Sequence, residues 1–118
     1  MKYSTTNSCN APAVRSIDFH QDGTAYENLL AGPPDSVNMR AGYVVLFPGE
    51  AGGEHSTGNA EEMLIPLFGS GELRIPGLDA LTIQQGCVLY NPPHTSHKVV
   101  NTGDRPLRYI YVVAGIPD

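Results

Sequence analysis

The chain has 118 residues, which suits one domain that buries roughly two-thirds of its unfolded surface. Its 41% hydrophobic and 16% charged residues exclude a disordered chain. The net charge of −5, with no cluster of Lys or Arg, excludes nucleic acid and an anionic membrane surface as partners.

The opening stretch, MKYSTTNSCNAPAV, is polar and has no apolar h-region. Residues 1–13 are expected to form a flexible arm, with residues 14–118 as the single folded domain. No apolar run reaches membrane-spanning length, so a soluble, cytoplasmic protein is expected. The two cysteines, Cys9 and Cys87, are too sparse for a disulfide scaffold and are expected to stay unbonded to each other.

Residues 14–19 (VRSIDF) read as a first strand. Residues 23–32 (GTAYENLLAG) have a weak helical pattern that Gly32-Pro33-Pro34 would end. From residue 42 onward seven short runs rich in Val, Ile, Leu, Tyr and Phe succeed one another: 42–47, 61–68, 71–75, 80–84, 87–91, 97–101 and 107–114. Gly- and Pro-bearing turns separate them. Such spacing predicts an all-β sandwich or barrel of antiparallel strands.

Several runs are apolar on both parities. In 61–68, Met63, Ile65 and Leu67 would face one way, and Leu64 and Phe68 the other. In 107–114, Leu107, Tyr109, Tyr111 and Val113 alternate with Ile110 and Val112. One face would fill the interior, and the second suggests a subunit interface, hence a homodimer. Pro66 lacks an N–H and should mark an edge or a bulge.

Of the four histidines, His55, His94 and His97 lie beside turns that flank strands. These are either ordinary solvated side chains or parts of a site. In a closed barrel His55 and His97 could meet a carboxylate from Glu61 or Glu62. Two imidazoles and a carboxylate suit a divalent transition metal and leave coordination positions open. Tyr43, Tyr90, Tyr109 and Tyr111 read as core or pocket wall. Arg40 and Arg108 could hold an anionic ligand or sit in surface ion pairs.

The spacing of these residues resembles that of a known family. Gly49, five residues, His55, one residue, Thr57, four residues, Glu62, six residues and Gly69 look like the first cupin motif, G-x5-H-x-H-x3,4-E-x6-G. Gly86, five residues, Pro92, one residue, His94, two residues, His97, three residues and Asn101 look like the second, G-x5-P-x-G-x2-H-x3-N. Both are in register, with 16 residues between Gly69 and Gly86.

The resemblance implies a double-stranded β-helix, or jelly-roll barrel, often dimeric, holding one divalent transition metal (Fe, Mn, Ni or Zn). Carried over by position, the ligands would be His55, Glu62 and His97, with Glu61 on the opposite face. The chain departs from the motifs twice. Thr57 replaces the second motif histidine and is a poor ligand. His94 replaces a glycine and is a candidate additional ligand, or an acid or base at the barrel mouth. Metal affinity should fall below about pH 6, as imidazoles protonate. The family resemblance implies a metal-dependent enzyme acting on a small oxygen-rich molecule, such as a dioxygenase, isomerase, decarboxylase or lyase. The alternative is a non-catalytic module that binds a small molecule or a metal.

Overall fold

A computed structural model describes residues 12–117. Among them the chain forms nine strands: β1 (Glu27–Ala31), β2 (Met39–Leu46), β3 (His55–Ser56), β4 (Ala60–Phe68), β5 (Ser70–Arg74), β6 (Leu81–Gln84), β7 (Leu89–Asn91), β8 (Ser96–Val100) and β9 (Leu107–Gly115). They build a five-stranded sheet, β1-β2-β9-β4-β7, and a four-stranded sheet, β3-β8-β5-β6. All pairs are antiparallel. Among the described residues no helix is long and apolar enough to cross a membrane. Residues 1–11 of the expected arm, and Cys9 with them, lie outside the described residues.

The two sheets close on one core: Leu46, Leu64, Leu73, Ile83, Leu89, Val99, Leu107 and Tyr109. Alternation places these side chains, because successive residues of a strand face opposite sides. In β9, Leu107 and Tyr109 point inward as expected and are almost fully buried.

Three expectations need correction. The helical reading of 23–32 gives way to β1. A run this short cannot hold an isolated helix, whereas the edge of β2 offers it ladder hydrogen bonds. Residues 14–19 form no strand, because β1 already occupies that edge. They lie irregularly outside the barrel, where Phe19 packs on Tyr43 with ring centroids 5.0 Å apart.

The third correction concerns Phe68. Pro66 does sit at a bulge, since the β4–β9 register shifts between Pro66 and Phe68. One extra residue reverses the parity of the strand beyond it. Phe68 therefore pairs opposite Arg108 on the outer face and is 40% exposed, while Leu64 stays inside at 2%.

The second cupin-like motif closes its turn through Asn101, which is buried. Its Nδ2 donates to Leu46 O and Arg105 O, both at 2.8 Å, and its Oδ1 accepts from Gly103 N at 2.9 Å. One side chain thus ties the ends of β2, β8 and β9 together. The Cys87 thiol is partly buried and donates to Gln84 O at 3.1 Å.

Candidate metal centre

β3 is only two residues long, but it pairs His55 directly opposite His97 of β8. Directly opposed residues share a face of a sheet. The imidazoles meet edge to face, with centroids 4.5 Å apart. From the facing sheet, β4 supplies Glu62, whose Oε1 lies 2.9 Å from His97 Nε2. One potential ligand atom from each of His55, Glu62 and His97 lies within 4.8 Å of the other two. Glu62 and His97 are buried, at 6% and 2% exposure, and His55 stands at the open end. The three line a cavity of about 350 Å³ with Leu64, Tyr109 and Tyr111.

The hydrogen bonds around the cluster fix its chemistry. His55 Nδ1 lies 2.8 Å from Gly53 O, and His97 Nδ1 lies 3.0 Å from Thr95 O. A carbonyl can only accept, so both Nδ1 atoms carry protons. That assigns Nε2 of each ring as the atom available to a metal, the arrangement in which an outer partner orients a ligating histidine. Asn91 of β7, opposite Glu62 in register, donates Nδ2 to Glu62 Oε1 at 3.0 Å. With two imidazoles and a carboxylate, the set could hold a divalent transition metal.

Without metal, His97 Nδ1 donates to Thr95 O and Nε2 faces the Glu62 carboxyl group. The Glu62 hydrogen bond raises its pKa above the usual histidine value, against desolvation, which lowers it, with smaller upward contributions from Thr95 and the Glu62 charge. Burial, then the Glu62 charge, then Tyr111 raise the pKa of Tyr109. Burial and the Tyr26 hydroxyl do the same for Tyr111. Both phenols therefore stay protonated, and both rings line the cavity. Tyr111 Oη lies 2.6 Å from Tyr26 Oη, and the rings stack. Gly42 makes this placement possible, since a Cβ there would lie 2.5 Å from the Tyr111 ring.

The remaining sequence candidates lie apart from this cluster. Glu61 faces outward and accepts a hydrogen bond from Tyr90 Oη at 2.8 Å. Thr57 Oγ1 donates to Pro92 O at 2.6 Å and accepts from Thr95 N at 3.0 Å. Its hydroxyl thus pins the loop that carries His94. His94 is exposed in a left-handed conformation, φ 55°, and its N–H bonds Gly58 O. This explains why the motif has glycine at that position. Arg108 is spent on Gln21 O, Gly23 O and Tyr43 Oη. The sequence did not single out Asn91 or Tyr26 as site residues: one is the last residue of the 87–91 run before Pro92-Pro93, the other lies in the stretch read as weakly helical.

Comparison with known proteins agrees with this geometry. The chain is 32% identical over 80 residues to a glucose-6-phosphate isomerase of Pyrococcus abyssi, covering 58% of the chain and 42% of that protein. The chain therefore spans less than half the length of this curated relative. A Cupin 2 conserved barrel domain protein from Salinispora arenicola is 27% identical, with TM-score 0.67 over 89% of this chain and 90% of that one. An RmlC-like cupin from Methanocaldococcus jannaschii shares the fold at TM-score 0.74 and 19% identity, over 89% and 94% of the two chains. The cupin domain family model matches residues 42–113, which hold both motifs and all three clustered side chains, and the chain belongs to the cupin family.

Proposed function

We propose that the protein is a metal-dependent enzyme acting on a small oxygen-rich molecule. The observation that carries this is the convergence of His55, Glu62 and His97 in a cavity, with both Nδ1 atoms committed to backbone carbonyls. A metal bound there would act as a Lewis acid toward substrate oxygens. The chain's own residues do the rest. Leu64, Val44, Val99 and Val113 form a dry wall, and the Tyr109 and Tyr111 rings complete it. Among the described residues no Lys or Arg lines this cavity itself.

Metal analysis of the purified protein tests this reading. About one equivalent of divalent metal per chain is expected at pH 8, and turnover of an oxygen-rich substrate distinguishes an enzyme from a binding module. The ion must displace the proton held between His97 and Glu62. Because the folded pKa of His97 is raised, competition should begin above the ~6.5 of an ordinary histidine, not below pH 6. Affinity should then fall by up to about tenfold per pH unit as pH drops. A protein that takes up no metal, or whose affinity is flat from pH 8 to 6, defeats the reading.

We also propose a homodimer through the outer face of the five-stranded sheet. Met63 and Tyr90, 42% and 55% exposed, lie beside Val112 in one register row, with Ile65 and Ile110 in the next. Light scattering at micromolar concentration should give twice the chain mass, and Met63→Asp should shift it toward the monomer. A monomeric wild type refutes the dimer.

A further inference from the structure

One register row crosses the five-stranded sheet as Arg40, Val113, Glu62 and Asn91. Because directly opposed residues share a face, Arg40 is on the interior side with Glu62. Two strand spacings separate their Cα atoms by about 10 Å. Arg40 lines a second cavity of about 340 Å³ with Asn38, Thr57, Asn59 and Val113. Val113 also walls the cavity of the metal centre, so the two spaces adjoin.

The other arginines that line cavities are committed. Arg15 is paired with Asp35 at 2.8 Å, and Arg108 is bound to the 21–23 backbone and Tyr43. Among the described residues Arg40 makes no ion pair; it is exposed, and its side chain from Cγ to the guanidinium runs beside Gly32. Its charge is felt at the Tyr111 hydroxyl, where it opposes the upward shift caused by burial. An exposed guanidinium with unused donors, lining a cavity that adjoins a candidate metal site, matches a carboxylate in charge and geometry.

We propose that Arg40 recognises the distal carboxylate of a small hydroxy or oxo diacid whose other end reaches His55, Glu62 and His97. The proposal rests on the metal reading above. It names the substrate class as dicarboxylic and places the second anionic group in the cavity shared by Arg40, Asn38 and Thr57. Asn38 is partly engaged, donating Nδ2 to Gly115 O at 2.8 Å, which leaves the guanidinium as the main recognition group.

The test compares acids with the same chelating end. Zinc-loaded protein is titrated calorimetrically with malate and 2-hydroxyglutarate, and with 2-hydroxybutyrate, which lacks the distal carboxylate. Wild type should bind the better diacid about tenfold or more tightly than the monoacid. Arg40→Gln should erase that preference while leaving 2-hydroxybutyrate affinity and zinc content unchanged. Arg40→Lys should keep part of it, as a charge without the planar fork. Equal affinities in the zinc-loaded wild type, or an Arg40→Gln loss shared by diacid and monoacid, overturn the subsite and leave the metal reading standing. Failure of the wild type to take up zinc overturns both.

Discussion

Glu62→Gln should weaken divalent-metal binding at least about 100-fold, while Glu61→Gln leaves it within about twofold. Loss of an outer partner of a metal ligand costs roughly 10–100-fold, so loss of the ligand itself should cost no less. The residues are neighbours of the same type on one strand, and only their faces differ. Glu62 points inward to His97 Nε2 and Asn91 Nδ2, and Glu61 outward to Tyr90 Oη. Glutamine keeps the volume and an acceptor oxygen at both positions, so packing is preserved. At position 62 it removes the charge that would bind an ion. Competition titration with a chromophoric chelator measures the difference, and equal behaviour of the two variants would refute the site.

The same substitution has a signature without metal. The His97–Glu62 pair raises the folded pKa of His97. It therefore stabilises the metal-free protein fully below the ordinary histidine value, and that contribution is lost as pH rises through the raised value. In Glu62→Gln the His97 ring should titrate at lower pH, as read from its imidazole proton resonances. Thermal stability of the variant should then depend less on pH between about 6 and 8.

The range of each interaction decides whether the sequence reveals it. The strands from 42 onward were legible because their apolar periods are local. The choice of Glu62 over Glu61 was legible because motif spacing and strand parity agree. Pro66 announced a bulge, since a missing N–H is a property of one residue. Its effect on Phe68 was hidden, because the direction of a register shift depends on the partner strand. Asn91 was hidden for a related reason: only the pairing Glu62↔Asn91 shows that it steadies a carboxylate. Tyr26 was hidden further, as its contact with Tyr111 spans 85 residues of sequence. Local propensity around Tyr26 favoured a helix, and the open edge of β2 overrode it.

Gly69, the last residue of the first motif, is expected to be among the least replaceable positions. It is the link between β4 of one sheet and β5 of the other, so the chain must change direction there. Its φ is +82°, a region that costs an L-residue roughly 1–2 kcal/mol. A Cβ there would also lie 2.3 Å from Pro106 O and 3.0 Å from Leu107 Cα. Those atoms are backbone at the start of β9, so no rotamer change relieves the clash and one strand must move away from the other. Gly69→Ala should therefore cost about 3–5 kcal/mol, at the upper end of single substitutions. At roughly 4–8 °C per kcal/mol, the melting temperature should fall by about 15 °C or more. Gly77→Ala is the matched control: its φ is +81°, but nothing lies within 4 Å of the added methyl. It should carry only the conformational cost, with a drop of about 5–10 °C. Thermal melts of the two variants side by side separate strain from steric conflict. Equal losses would mean that β9 does not pack against Gly69 as closely as the barrel requires.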